Sequence, residues 1–401
     1  MQYERTINQS NQAVSKPLRT KFAGLVAASV AALSATIILA ACGGGGGVEA
    51  PRTAATSIKV FGDSIADSGV FGFKFTVNAA AGATTLIWTE RIAAQYGKEI
   101  CPFFRATGPA SFGAPVATCG SFAIGGGRIN NPAANGGATA PYSIPYQMDV
   151  ATAAGNFAAA DIILVDGGGN DAADLFGAYL QAADPAKVPA YVALLTTILP
   201  AATVTAALGQ PNGSAIVGGA YMQALANRFA DAISTKILAK GGERVVVLNM
   251  PAITNTPRFK AVLGGVAAAS GGGAAGAATA AAAEGLAKSW VEAFNAQLAI
   301  RLGPESKVVI VDFYTEFNNQ VANPAQYGLT NVTTPVCPIV GVDSSGLPAY
   351  NFPACTTTLL DASGPTGWRN YAFSDGFHPT PRGYEILADL VAVAMGRKGW
   401  L

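Results

Sequence analysis

One histidine, His378, serves the whole chain of 401 residues. That scarcity excludes an HExxH zinc helix and any site built on two histidines. If imidazole does chemistry here, His378 does it. Charge is scarce as well: Asp, Glu, Lys and Arg make up 12% of the residues, against 50% hydrophobic ones. So apolar a balance does not describe a disordered chain, and the length suffices for a substantial core. The 25 basic and 24 acidic residues nearly cancel. Setting aside Arg5, Lys16, Arg19, Lys21 and Glu4 of residues 1–41, 21 basic and 23 acidic residues remain. A surface near −2 has no electrostatic footprint for nucleic acid.

The N-terminus reads as a targeting segment. Lys16, Arg19 and Lys21 precede an apolar run from Phe22 to Leu39, which ends in Leu39-Ala40-Ala41-Cys42 and five glycines. Small residues leading directly into a cysteine resemble the lipobox of bacterial lipoproteins. That resemblance implies a signal peptide over 1–41, acylation of Cys42 and a membrane anchor through it. With no Asp after the cysteine, it implies the outer membrane. The apolar run also approaches the length of a membrane span, although its alanine content and the Cys-Gly junction favour the leader. Residues 42–56, rich in glycine, read as a flexible tether.

Four cysteines remain: Cys101, Cys119, Cys337 and Cys355. An even number in an exported chain suggests disulfides, and three connectivities are possible. The local pairs 101–119 and 337–355 are preferred, each closing a loop rich in Pro, Gly and Thr.

From residue 57 the chain alternates short apolar runs with helix-like stretches. Ser57–Phe61, Asp161–Asp166, Arg244–Asn249 and Lys307–Asp312 are β-branched and short, as suits parallel strands buried on both faces. Ile87–Tyr96, Gly219–Lys240, Ala280–Leu302 and Pro381–Met395 are amphipathic helix candidates. Pro381 suits a first helical turn and Gly396 a stop. The alternation predicts an α/β fold with helices on both faces of a mainly parallel sheet. No linker interrupts it, so residues 57–401 form one domain. Residues 264–283 are almost entirely Gly and Ala and read as a surface insertion. The GxGxxG match at 271–276 lacks the preceding strand and following acid of a dinucleotide site.

Chemistry enters where the first strand runs into Gly62-Asp63-Ser64-Ile65-Ala66-Asp67-Ser68-Gly69. A serine there sits at the carboxyl edge of the sheet, where α/β sites form. A helix starting at that point would aim its N-terminal amides at the serine oxygen. Three further blocks follow: Ser121-Phe122-Ala123-Ile124-Gly125-Gly126-Gly127, then Val165-Asp166-Gly167-Gly168-Gly169-Asn170-Asp171, then Asp375-Gly376-Phe377-His378-Pro379-Thr380. In that order they resemble the four blocks of the GDSL, or SGNH, serine hydrolases, with Ile65 in place of Leu. Ile87–Glu90, Asn249-Met250-Pro251 and Asn323–Gly328 resemble the bacterial and plant branch. The resemblance spans about residues 57–395. The window Gly62–Ala66 ends in Ala and no GxSxG occurs, which disfavours the nucleophile elbow of α/β-hydrolases.

The resemblance implies a three-layer, flavodoxin-like fold and ester hydrolysis without metal or cofactor. Ser64 needs a base to become a nucleophile, and His378 is the side chain with the right proton affinity. Asp375 would hold the imidazole tautomer and stabilise its charged form. The family's oxyanion hole falls on Ser64 N–H, Gly126 N–H and the Asn170 side chain, with Gly125 an equal choice by one register. Asp63 and Asp67 read as loop-shaping residues and Trp88 as core. Lipid and phospholipid acyl esters are the expected substrates, because the branch it resembles contains lipases. Removal of acyl groups from carbohydrate is the alternative. A surface-binding lipoprotein on a decayed hydrolase fold is a third reading, against which the intact residue set counts. No protein partner is expected.

Overall fold

The computed structural model describes residues 53–80 and 83–401. The expected signal peptide, Cys42 and tether residues 42–52 lie outside the described residues. Strand β1 (Ile58–Phe61) is followed by α1 (Trp88–Gln95), a ribbon of β2 (Ala106–Gly108) and β3 (Ser111–Phe112), and α2 (Ile144–Ala153). Next come β4 (Ile162–Val165), α3 (Gly169–Gln181), α4 (Val188–Thr196), α5 (Ala201–Leu208) and α6 (Gly213–Lys236). β5 (Val245–Leu248) leads into α7 (Pro257–Ala269) and α8 (Gly273–Leu302), and β6 (Val308–Val311) into α9 (Phe313–Ala322). A second ribbon, β7 (Ile339–Val342) and β8 (Pro348–Tyr350), precedes α10 (Thr357–Ser363) and α11 (Pro381–Arg397). Among the described residues, no helix is long and apolar enough to cross a membrane.

The four apolar runs form one parallel sheet in the order β1-β4-β5-β6. Their side chains alternate between two cores, as the strand period requires. Phe61, Ile163, Val165, Val245 and Val247 pack with Leu175 of α3, Phe229 of α6 and Phe294 of α8. Val60, Leu164, Val246 and Leu248 pack with Trp88 of α1, Phe317 of α9 and Val391 of α11. Continuous Val/Ile runs are what a sheet covered on both faces needs. Beyond β1 the backbone around Ser121 runs parallel to it, with Val60 N–H donating to Gly120 O (3.0 Å) and Phe122 N–H to Val60 O (2.8 Å). The serine, glycine and Asn blocks therefore all emerge at one carboxyl edge.

Several boundaries differ from expectation. No helix follows Ser64; the chain makes a single turn, with Ala66 N–H on Asp63 O at 3.2 Å. Beside the serine turn, the helix that starts at this edge is α3, after β4, which carries Asn170. Residues 264–283 are helical at both ends: α7 and α8 are joined by a turn at Ser270–Gly272, where Gly271 and Gly272 have φ of +88° and +68°. Alanine's helix propensity extends α8 back to Gly273 rather than Ala280. Gly276 lies so close to the other helix that a Cβ would sit 2.3 Å from Ala267 O. Helix α11 continues through Gly396 to Arg397. Both local disulfides are present, Cys101–Cys119 and Cys337–Cys355.

Candidate active site

Ser64 is held on a turn built from the end of β1. Gln147 of α2 clamps Gly62, accepting its N–H through Oε1 (2.9 Å) and donating to its carbonyl through Nε2 (3.1 Å). Asp63 N–H donates to Asp166 Oδ1 at the end of β4 (2.9 Å). A Cβ at residue 62 would lie 1.6 Å from that oxygen, so only glycine lets the two strand ends approach this closely.

His378 reaches Ser64 from the loop before α11. Thr380 caps that helix, its Oγ1 accepting Gly383 N–H at 3.2 Å, and Pro381 occupies the first turn. Nε2 of His378 is 2.7 Å from Ser64 Oγ, and Nδ1 is 2.9 Å from each oxygen of Asp375. Asp375 also accepts the N–H of Phe377 (2.8 Å) and of His378 (2.6 Å). Burial alone would raise the Asp375 carboxyl, but the imidazole and these donors outweigh it and hold it below its ordinary value. Phe75 and Phe352 pack on the imidazole with ring centres 5.0 and 5.5 Å away.

The two glycines left open by the sequence have different surroundings. Gly125 donates its N–H to Asp67 Oδ2 (2.8 Å), and a Cβ there would lie 2.3 Å from the Phe75 ring. Gly126 has φ +82°, and its N–H meets no acceptor among the described residues. Arg128 donates to the Gly126 carbonyl (2.6 Å) while its guanidinium grips Asp174 of α3 at 2.6 and 3.1 Å. Asn170 Nδ2 donates to Gly127 O (3.0 Å) and lies 3.5 Å from Asp63 Oδ2. Asp171 accepts the N–H groups of Ile129 and Asn130, tying α3 to the glycine block.

Under the turn lie buried carboxyls. Burial pushes Asp67 and Asp171 up to about 6, against the pull of the backbone N–H groups that each accepts. Burial raises Asp63 and Asp166 too, Asp166 well above the ordinary value with the charge of Asp63 adding to the effect. Asp166 Oδ2 is buried and has no partner among the described residues.

The structure thus brings Ser64, Gly126, Asn170 and His378 to one cavity of about 790 Å³, with Asp375 behind His378. Phe71, Phe73, Phe75, Pro109 and Tyr142 give it an apolar wall. Gln147, Arg128, Asp166 and the aromatic residues against His378 were not singled out from sequence. The alternation Phe71-Gly72-Phe73-Lys74-Phe75 directly after the serine block was a usable signal for the wall. Nothing local marks Gln147 or Arg128, whose partners are distant in sequence.

A parallel α/β sheet with Ser, His and Asp converging at its carboxyl edge is the architecture of a hydrolytic α/β protein. The chain belongs to the GDSL-like lipase/acylhydrolase family, whose model matches residues 58–391. Over 101 residues it is 33% identical to the anther-specific proline-rich protein APG of Brassica napus. That match covers 24% of this chain and 20% of the relative, so the chain spans a fifth of that protein's length.

Proposed function

We propose that the protein hydrolyses carboxylic esters through an acyl-Ser64 intermediate, with lipid or phospholipid acyl esters as its substrates. The observation that carries this reading is the unbroken line from Ser64 Oγ through His378 to Asp375, opening on an aromatic cavity. His378 Nε2 takes the serine proton as Oγ attacks the carbonyl carbon, and Asp375 stabilises the imidazolium. Negative charge then develops on the carbonyl oxygen. The unoccupied N–H of Gly126, the N–H of Ser64 and the Asn170 amide are the donors for it. One Asn170 hydrogen is engaged by Gly127 O; the other, facing Asp63 at 3.5 Å, is free to turn to the oxyanion. Collapse expels the alcohol with the proton from His378, and water repeats the sequence to release the acid.

The apolar wall favours a hydrocarbon chain over a sugar, which needs paired hydroxyl partners. Anchoring through an acylated Cys42 to the outer membrane belongs to the same proposal, because it places the cavity beside its substrate. Fluorophosphonate labelling of Ser64, absent in Ser64→Ala, tests the nucleophile. A panel of acetyl to palmitoyl esters, phosphatidylcholine and acetylated xylan tests the substrate class. Turnover of the xylan alone would replace the lipid reading with that of a carbohydrate esterase. Failure to label Ser64 would leave a binding protein.

A further inference from the structure

Three glycines in succession, Gly125-Gly126-Gly127, would by themselves give the backbone wide conformational freedom. Here the stretch is held on both sides of one free group. Gly125 N–H donates to Asp67 Oδ2 (2.8 Å) and Gly127 N–H to Ile124 O (2.9 Å). Between them Gly126, at the cavity, keeps an N–H without an acceptor among the described residues. The carbonyls are held too: that of Gly126 accepts Arg128 Nη1 at 2.6 Å, and that of Gly127 accepts Asn170 Nδ2 at 3.0 Å. The peptide that carries the free N–H therefore lies between two fixed ones.

Arg128 is itself fixed. Its N–H donates to Tyr142 O (2.8 Å) and its carbonyl accepts Ile144 N–H (2.9 Å). Nε and Nη2 engage the two oxygens of Asp174 at 2.6 and 3.1 Å, which leaves Nη1 for Gly126. Asp174 stands one turn along α3 from Asn170, on the same face of that helix. One guanidinium thus spans the glycine block and the helix that carries Asn170. Lysine could not do so, because a single nitrogen lacks the planar fork that serves two acceptors in fixed directions. Arg128 does not line the cavity, and the hydrolytic steps assign it nothing.

We propose that Arg128 is a positioning residue for the oxyanion hole. Held by Asp174, it fixes the Gly126–Gly127 peptide so that the Gly126 N–H stays unpaired and in register with the Asn170 amide. This deepens the ester-hydrolase reading and rests on it for the developing oxyanion. Donors stabilise that charge most when they are oriented before it forms, since nothing then has to reorganise during the reaction. Losing the bridge should therefore weaken transition-state binding and leave ground-state binding, made by the apolar wall, almost untouched.

The test measures kcat and KM on a soluble butyryl ester, per titrated active site, together with inhibition by butylboronic acid. Ser64 Oγ adds to boron as its proton passes to His378, and the tetrahedral anion so formed stands in for the oxyanion intermediate. Arg128→Met should lower kcat by about 10–100-fold with KM within about twofold, and should weaken the boronic acid by a similar factor. Arg128→Lys keeps the charge without the fork and should still show a deficit of at least about fivefold in kcat. Asp174→Ala should lose about fivefold in both readouts, since the guanidinium then loses its hold on α3. A merely structural role would lower Tm and leave kcat per site and boronic acid affinity within about twofold of wild type, which would overturn the proposal. Full recovery of kcat by lysine would overturn it as well. If Arg128→Met does not fold, Asp174→Ala decides by the same criterion, its carboxylate being 36% exposed. A wild-type protein that turns over no ester and resists labelling at Ser64 overturns the hydrolase reading and this proposal together, whereas an active wild type with unaffected variants overturns the proposal alone.

Discussion

Replacing Asn170 with alanine separates a catalytic donor from a turn residue. In the resting structure the Asn170 amide makes one good hydrogen bond, to Gly127 O at 3.0 Å, and a marginal one to Asp63 at 3.5 Å. The side chain is only partly buried, so its loss should cost folding stability about 1 kcal/mol, the net value of one ordinary hydrogen bond. In the transition state the same amide would face a full negative charge that the ground-state carbonyl lacks. Removing a donor of that kind lowers kcat by about 10²–10³, or about 3–4 kcal/mol. KM should barely move, because ground-state binding relies on the apolar wall. Asn170→Asp should be at least as damaging, since it turns a carboxylate toward the oxyanion and toward Asp63. The assay is steady-state kinetics on a soluble ester, normalised by active-site titration, with a thermal melt on the same sample. Near-normal kcat per titrated site, accompanied by a large fall in Tm, would refute the donor role and leave Asn170 as the residue that orders the α3 entrance.

Four further outcomes are expected. Ser64→Ala and His378→Ala should each remove most turnover while the melt stays close to wild type, since both residues lie in loops outside the strands; substantial residual activity in Ser64→Ala would end the covalent mechanism. Asp67 and Asp171, raised to about 6 from 3.8, make the folded protein bind more protons than the unfolded chain between those values. Their contribution to stability is full below pH 4 and lost as pH rises through 6, about 1 kcal/mol per group between pH 5 and 7; urea unfolding at both pH values checks it, and a stability that rises over that interval would contradict it. Reduction should cost roughly 3 kcal/mol per disulfide in the loop-closure model, each bridge spanning 18 residues, and loss of Cys337–Cys355 should also lower turnover by loosening Phe352 from His378; Tm and kcat with and without reductant measure both. Cys42→Ser should abolish incorporation of a fatty-acid probe and move the protein to the soluble fraction, and unchanged labelling would refute the lipobox reading.

Much of the fold was legible in the sequence for a local reason. Four β-branched runs, read as strands to within a residue at each end, carry their own length limits and flanking polar residues. The order of the motif blocks placed Ser64, Asn170 and His378 at the same sheet edge, because each block follows a strand end or precedes a helix. Short loops between the cysteines favour the local disulfide pairing but leave three connectivities open, and the structure decides for the local one. Tertiary structure alone decided the rest. The Gly125–Gly126 ambiguity is a matter of which N–H is already bonded, and Asp67, distant in sequence, takes that of Gly125. The absence of a helix after Ser64 reflects the hold of Gln147 and Asp166 on Gly62 and Asp63. Helix α3 is not legible in the sequence because its glycine-rich start looks like a turn until β4 and the glycine block close around it. The buried amide nitrogen of Gln320, without a partner among the described residues, could not be read from residue types at all. Periodicity says which side chains leave solvent, but only the packing of α9 against the sheet edge says which of them then find no partner.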